Sequence, residues 1–434
     1  MMKQTHWKKR LAAALTGGFL VLNTLNVFAA PMELTLDDSI AKALQNNPAI
    51  KIADAGREAA ESGISIAKGG NLPTLKLEHS DGRSKTYTSS GAANIGNKFG
   101  SSLTLGMNLY TGGQVEGNIE KAKIGLKVAD LDVEKSKQQV KLDATKGYFT
   151  ILQTRNTVKV DQESVDQMEA HLKNVEAQYN VGTVAKSDVL RSQVELANNQ
   201  QVLTKAQNAY EIAVSNLNNI MGLPLDTQIQ IKDELLHQAY TLSLEDSIHY
   251  AMNNRPEAIQ ADYNIKAAQE SVKIAQAGKL PSIVASASKG WADTTFPGTD
   301  DSGWSIGLKA TWTPFDSGVT NAGIKKSNFD MEKSLQTAKQ AKDSIQLEVR
   351  QAYLNMVEAE KRIATSQVTV EKAEEDFKIA QVRYSAGVGT NTDVIDAQVA
   401  LTQAKNNYIQ AMYDFNTSKA NLTKAMGVPV EAVK

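Results

Sequence analysis

The chain has 434 residues, of which 41% are hydrophobic and 22% charged, and its formal net charge is −1. It contains no cysteine, which excludes a disulfide framework, thiolate chemistry, a zinc–thiolate site and a cysteine-linked lipid anchor. The charges of both signs are mixed along the chain, and this argues against nucleic acid as the partner.

Residues 1–29 have the pattern of a secretory signal peptide. Four basic residues come first, an apolar run follows to about residue 25, and residues 27–29 (Val-Phe-Ala) suit cleavage after Ala29, or alternatively after Ala30. Losing the four positive charges would take the formal charge from −1 to −5. An uncleaved anchor is the alternative. No later apolar run approaches the roughly 18 residues of a spanning helix, so we expect an exported protein without a helical anchor.

The rest of the chain contains an internal sequence repeat with two copies. Residues 110–224 lie over residues 315–429 at a constant offset of 205, with Gly182 on Gly387 and Asp188 on Asp393. Further upstream the two copies match at an offset of 208. Such a repeat indicates one structural unit duplicated. We therefore divide the chain into a first repeat at 30–224, a connector at 225–243 without a recognisable motif, and a second repeat at 244–434.

Each copy predicts a half-length helix, a hairpin, a very long helix, a tight turn and a second half-length helix. In the long helix, from about Gln114 to Tyr179, small and apolar residues recur at steps of four and three, which is a heptad seam. At 1.5 Å per residue it would be ~100 Å long. The half-length helices, 36–68 and 187–221, would each be ~50 Å and could stack end to end against it. An ordinary antiparallel bundle is the alternative.

The segments between these helices read as strands. Residues 74–80, 102–110, 283–287 and 306–312 alternate between apolar and polar side chains, as transmembrane barrel strands do. The loops between them, 81–100 and 289–303, are polar and rich in Gly and Ser. Four strands cannot close a barrel, and an open edge is not tolerated in lipid, so membrane insertion would require several copies to pool their strands. Aromatic residues near the strand ends are candidates for a girdle at the membrane surface: Tyr110, Trp304, Trp312 and Phe315.

A glycine-containing turn follows each long helix. Gly182 and Gly387 suit the left-handed position that ends a helix. Polar residues that are good N-cap types for the returning helix follow each of them: Ser187, Asp188, Thr392 and Asp393. The pattern alone also fits a tight turn and a helix cap with no further role.

Two features that can indicate a catalytic or a metal site occur here without the surrounding residues that such sites need. Residues 303–307 (Gly-Trp-Ser-Ile-Gly) match the G-x-S-x-G pattern of serine hydrolases but lie in an alternating strand. The five histidines are scattered without metal-ligand spacing. We therefore predict neither an enzyme, a metal site nor a cofactor.

The signal peptide, the doubled half, the strands after Leu-Pro and the Tyr-x-x-Gly-x5-Asp turns together resemble the TolC-type outer-membrane efflux proteins. The resemblance implies a mainly α fold with a small β part. In it, a homotrimer pools four strands per chain into one transmembrane β-barrel, and a long α-helical coiled-coil barrel continues it across the periplasm. By strand count alone an eight-stranded dimer is also allowed. The implied function is an outer-membrane exit duct for efflux or type I secretion, set in outer-membrane lipid and working with a periplasmic adaptor and an inner-membrane transporter. The alternative is a soluble periplasmic coiled-coil adaptor or scaffold.

The same resemblance implies roles for residues at the two turns. Asp393 and Asp396 match positions that form aspartate rings at the periplasmic constriction, and Tyr384, Ser187 and Asp188 match positions that hold it closed. Rings of carboxylates would favour cations, and their repulsion would raise their pKa values. The tips resemble adaptor-docking segments: Val181, Gly182, Thr183, Ala386, Gly387 and Val388. The chain departs from the family at two places. At Gly389 the family carries an arginine that belongs to the polar network of the closed constriction. The leucine that usually follows each tip glycine is also absent here.

Overall fold

The computed structural model describes residues 32–87, 89–236 and 240–430. The predicted signal peptide, residues 1–29, lies outside the described residues. The helices are α1 (Leu36–Asn46), α2 (Pro48–Gly69), α3 (Gln114–Asn180), α4 (Lys186–Ile220), α5 (Leu244–Asn254), α6 (Pro256–Ala277), α7 (Val319–Ser385) and α8 (Asn391–Ala425). The strands are β1 (Met32–Leu34), β2 (Thr74–Tyr87), β3 (Ala93–Tyr110), β4 (Ile229–Ile231), β5 (Ser282–Asp293) and β6 (Asp301–Thr311).

The helices pack side by side in one layer that contains two very long members. Helices α3 and α7 each have 67 residues, and neither contains a proline. In the half next to the larger sheet the packing order is α2, α3, α6, α7, and in the far half it is α4, α3, α8, α7. Each long helix is thus supported along its length by half-length helices, as the heptad seam predicts. The layer has two open edges, one formed by α2 and α4 and the other by α7.

The prediction of one helix over residues 36–68 is wrong, because the structure breaks it at Asn47. Pro48 has no N–H to continue the helical ladder and disfavours helical backbone at the residue before it. Asn47 caps the new helix by accepting a 2.9 Å hydrogen bond from the Ala49 N–H. Its amide also donates to the Ile220 carbonyl at 2.9 Å, which fastens the break to the end of α4.

The second copy makes the same joint with a different side chain. Arg255, offset by 208 from Asn47, donates to the Ala425 carbonyl at 3.2 Å, at the end of α8. Its guanidinium also pairs with Glu257 at 3.0 Å and Glu348 at 2.6 Å, with only 5% of the arginine side chain exposed. A buried cation is tolerated here because two carboxylates and a carbonyl satisfy it.

Residues 225–236 of the connector pack against the first repeat. Its strand β4 pairs in parallel with β1, with Met32 opposite Ile229. The Tyr148 hydroxyl donates to the Asp233 carboxylate, and Arg155 donates to the carbonyl of Ile231 at 2.5 Å. These bonds hold the connector against α3, beside a core cluster that includes Tyr148, Ile151 and Leu217.

The larger sheet is antiparallel with strand order β2-β3-β5-β6. Its strands are longer than predicted: β2 runs on to Tyr87, β3 begins at Ala93, β5 ends at Asp293 and β6 begins at Asp301. Most of the predicted loop 81–100 and part of 289–303 are therefore strand. Their polar, Gly-rich composition does not prevent this, because the backbone ladder continues through pairs such as Arg83 with Asn97.

Candidate functional site

One face of the larger sheet is apolar and uncovered. The register sets Leu75 opposite Leu105, Leu105 opposite Ala287 and Ala287 opposite Ile306, so one apolar row crosses all four strands. The next row, through Ala285 and Leu308, is also apolar. Leu75 is 67% exposed, Ile306 76% and Leu308 73%. A contiguous apolar face this exposed requires a partner surface or lipid to cover it.

The opposite face is polar. Lys76, Thr104, Ser288 and Ser305 form one row across the four strands. The hydroxyls of Ser288 and Ser305 lie 2.9 Å apart and are hydrogen-bonded. Ser305, the serine of the G-x-S-x-G pattern, thus lies in mid-strand bonded to another serine.

The aromatic candidates lie at the two ends of the apolar face. Trp304 is 76% exposed near the start of β6, and Trp312 follows just beyond its end at 61%. Eight residues of strand separate them by roughly 27 Å, close to the apolar band of about 25 Å of an outer-membrane barrel. Phe315, 84% exposed, follows on the helix side, and the Trp312 indole donates to the Lys279 carbonyl at 3.1 Å.

Tyr110 reaches the apolar face through an irregularity in β3. The alternation predicts Leu109 on that face, but the register shifts between Asn108 and Tyr110, so that Tyr110 pairs with Ile283. A one-residue bulge reverses which side each following residue faces. Alternation alone cannot reveal it.

At the other end of the molecule, both long helices stop at a glycine. Gly182 has φ 81° and Gly387 φ 73°, the left-handed backbone that ends a helix without a side-chain clash. The Thr183 N–H donates to the Gln178 carbonyl, and the Val388 N–H to the Arg383 carbonyl, both at 3.0 Å. All six predicted adaptor-docking residues, 181–183 and 386–388, are exposed.

The returning helices begin earlier than the N-cap prediction places them. The N-cap of α8 is Thr390, and that of α4 is Ala185, which has no side chain to cap with. Thr390 and Asp393 form a reciprocal capping box, with the Thr390 N–H donating to the Asp393 carboxylate at 2.9 Å and the Asp393 N–H to the Thr390 hydroxyl at 3.1 Å. Four polar residues in succession made the choice of cap ambiguous from the sequence.

The two aspartates of the proposed constriction lie on one face of α8. Asp393 and Asp396 are three residues apart and both exposed. Within one chain, hydrogen bonds from the Thr390 backbone and hydroxyl hold the pKa of Asp393 below its usual value, and the nearby Arg383 lowers it further. The rise expected from crowded carboxylates concerns several copies together and stays a prediction.

A buried polar cluster that the sequence analysis missed lies behind these aspartates. His171 of α3 bonds through Nε2 to the Asn391 side-chain oxygen at 2.6 Å. The Ser192 hydroxyl donates to the same oxygen at 3.2 Å, and the Asn391 amide donates to the Asp188 carbonyl at 3.1 Å. Burial lowers the pKa of His171, although its bond to Asn391 opposes the shift. The cluster joins α3, α4 and α8 near the turns.

Tyr384 packs its ring against this cluster, with its centroid 5.1 Å from that of His171. Its buried hydroxyl has no hydrogen-bond partner in the described residues. Burial, and then the charge of Asp188, raise the pKa of Tyr384. Ser187 is exposed. Within one chain, therefore, the polar contacts between the starts of α4 and α8 run from Asn391 to the Asp188 carbonyl and from the Arg191 guanidinium to the Thr392 hydroxyl, at 2.6 Å.

Gly389 packs closely against the backbone at the end of α7. A Cβ at this position would stand 3.0 Å from the Tyr384 nitrogen and 3.1 Å from the Arg383 backbone. A larger side chain would push the turn open by a few tenths of an ångström. Arg383, whose guanidinium lies 3.4 Å from the Val388 carbonyl, supplies a cation to the same turn.

Among the helices of the described residues, none has a run of apolar residues of the length that spanning a bilayer requires. Within the same residues, no group of three or more His, Asp or Glu side chains could hold a metal ion.

A family model described as outer membrane efflux protein matches residues 39–223 and 247–428, one segment in each repeat. The chain is similar to the outer membrane protein TolC of Salmonella enteritidis, with 24% identity over 397 residues that cover 88% of this chain and 79% of that protein. It is also similar to the alkaline protease secretion protein AprF of Pseudomonas aeruginosa, with 23% identity over 442 residues, 98% of this chain and 90% of that one. The CmeC outer membrane channel of Campylobacter jejuni matches in structure with a TM-score of 0.75 at 19% identity, over 90% of this chain and 85% of that chain.

Proposed function

This chain belongs to the outer membrane efflux protein family, and from that premise we propose how its parts form one exit duct. The protein is an outer-membrane duct for efflux or secretion, with its sheet in the membrane and its helices in the periplasm. It works with a periplasmic adaptor and an inner-membrane transporter. In the proposal the transporter supplies the energy, and the duct itself makes or breaks no bond and needs no cofactor.

The observation that carries this proposal is the apolar face that crosses all four strands. Leu75, Ile306 and Leu308 are each at least 67% exposed on that face. In a soluble periplasmic scaffold they would stand in water at a cost of about 25 cal/mol per Å² of apolar surface. In an outer membrane they face lipid, and the polar row through Ser288 and Ser305 faces the lumen.

We propose that three copies close the ring. Strands β2 and β6 each have one unpaired edge, and the helical layer ends in α2 and α4 on one side and in α7 on the other. Pairing β6 of one copy with β2 of the next removes every open edge, as lipid requires. Two copies would give eight strands, whose interior side chains fill, whereas three give twelve and leave a passage.

In the closed duct, Asp393 and Asp396 from three copies would ring the periplasmic opening and favour cations. Tyr384, Ser187 and Asp188 would hold that opening shut. The exposed tips 181–183 and 386–388 would receive the adaptor, whose docking would open the ring.

The signal peptide, the two repeats, the connector and the aromatic residues also have places in the proposed duct. Residues 1–29 would be removed on export, and residues 30–224 and 244–434 would each supply half of one copy's wall. The connector, 225–243, would form a belt around the middle of the duct. Tyr110, Trp304, Trp312 and Phe315 would lie at the two membrane surfaces.

Fractionation of expressing cells tests the membrane placement. We expect the mature protein to remain in the outer-membrane fraction after a high-salt wash and to require detergent for release. Unheated samples should migrate on a mild gel as an oligomer that converts to monomer on heating. Release by salt alone would contradict the proposal, because salt screens surface charge but does not extract a lipid-embedded sheet.

A further inference from the structure

Helices α3 and α8 pack antiparallel within one chain through matched polar contacts. The Gln153 amide donates to the Gln410 side-chain oxygen at 2.6 Å, and one turn away the hydroxyls of Thr150 and Tyr413 lie 3.3 Å apart. Near the turns, His171 bonds to Asn391 at 2.6 Å. These contacts define a register between the two helices.

The internal repeat makes the two open edges of the layer copies of these helices. The offset of 205 carries α3 onto α7 and α8 onto α4. The copies differ in what covers them. Leu142 of α3 is 7% exposed, whereas its counterpart Leu347 of α7 is 56% exposed. Ile395 of α8 is 7% exposed, and its counterpart Leu190 of α4 is 52% exposed. The open edges, formed by α7 and α4, therefore expose the helix faces whose counterparts on α3 and α8 are buried.

We infer that α7 of one copy packs against α4 of a second copy of this chain in the register of the α3–α8 interface. The inference rests on the assembly in the proposed function, and it fixes which side chains meet there. Helices α3 and α8 share further contacts, such as Lys405 with Glu163. For the three contacts described above, the offset gives three pairs between copies: Glu358 with Lys205, Asn355 with Asn208, and Asp376 with Lys186.

The chemistry of these pairs is complementary. Two of them bring a carboxylate to an ammonium group, and the third brings two amides together, each of which can donate and accept. All six side chains are exposed in the single chain. Glu358 already bonds to the Arg362 guanidinium through Oε1 at 2.6 Å, which leaves Oε2 for Lys205.

The positions between these pairs agree with the same register. It sets Leu190 opposite Ala373. It also sets Gln201 near Ser366, because their counterparts Asn406 of α8 and Asp161 of α3 are hydrogen-bonded at 3.4 Å, so no like charges meet at either place. Contact between Leu190 and Ala373 would also remove exposed apolar surface from water. A shift by one residue would turn these side chains away from each other, because successive helix residues point about 100° apart.

Engineered disulfides test the register, and the absence of native cysteine gives a clean background. In the Asn208→Cys, Asn355→Cys double variant we expect oxidation to join neighbouring copies, giving a multi-chain species on a denaturing, non-reducing gel. The matched control is Gln201→Cys with Asn355→Cys. Gln201 lies two turns from Asn208 on the same face, ~10 Å away, and should not link.

Three outcomes would overturn the inference. A reduced protein that migrates as an oligomer but links equally in both variants, or only in the control, would show a different register. Absence of any link in such an oligomer would do the same while leaving the duct intact. A reduced protein that is monomeric in detergent would contradict the proposed assembly, and the inference with it.

A charge exchange gives an independent readout should the cysteine variants fail to fold. Lys205→Glu and Glu358→Lys should each lower the temperature at which the oligomer dissociates. The two together should restore it towards the wild-type value. Absence of restoration would contradict the pairing of these two residues.

Discussion

Among single residues, Asp393 has a structural role although it is exposed. The carboxylate caps α8 through the Thr390 N–H at 2.9 Å, while Asp396 on the same face has no such bond among the described contacts. The sequence predicts Asp393 as a candidate N-cap, but it does not predict that Asp393 is the third helical residue, paired with an N-cap at Thr390. That role depends on α8 beginning at Asn391, and four successive polar residues leave the start undefined.

The repeat supplies a matched test of this cap. Thr390→Ala removes the hydroxyl that accepts from the Asp393 N–H, and it should destabilise the first turn of α8 by about 1 kcal/mol. Ala185→Thr, at the equivalent position of α4, should create the same box with Asp188 and stabilise that turn. Hydrogen exchange of the tip peptides measures both changes. We expect faster exchange at 391–394 in the first variant and slower exchange at 186–189 in the second.

The same cap predicts a pH dependence of that exchange. Because the folded state lowers the pKa of Asp393 below 3.8, its contribution is present above about pH 4 and is lost as the pH falls through the lowered value. Equal tip protection in wild type and Thr390→Ala at neutral pH would contradict the capping box.

At the scale of elements, the sequence predicts best what is periodic and long. The seam gave the start of α3 at Gln114 and its end to within one residue, because a repeat sustained over 67 residues averages out local exceptions. The wrong predictions came from local features that the long-range periodicity does not show. Pro48 divides the first half-length helix, and a bulge at Leu109 reverses the facing of one strand end. The polar, Gly-rich strand ends resembled loops in the sequence. They are strands because backbone pairing does not depend on their side chains.

The two faces of the sheet allow a matched test at this scale. Leu308, midway between Trp304 and Trp312, lies on the apolar face. Gly307 beside it lies on the polar face, where a Cβ would meet no atom within 4 Å. Leu308→Arg should cost about 2–4 kcal/mol in lipid and lower the yield of membrane-inserted oligomer. Gly307→Arg should insert nearly as well as wild type. Equal yields, or the reverse order, would contradict the assignment of the lipid face.

At the scale of the whole molecule, duplication explains how one chain builds a wall with two matching edges. Each half makes the same joint between its helix break and its half-length helix, through Asn47 in one copy and Arg255 in the other. The repeat and the family could be recognised from the sequence. The number of copies could not, because strand alternation specifies a face but not how many strands close around it.

A duct that is open from end to end conducts ions, and single-channel recording in a planar bilayer measures that conductance. Wild type should be compared with Asp393→Asn, Asp396→Asn, since asparagine removes the charge while keeping an oxygen for the cap. We predict stable, cation-selective steps for wild type and weaker cation preference in the double variant. Unchanged selectivity would contradict the aspartate ring alone. Folded, membrane-inserted protein that gives no steps in either form would contradict the duct.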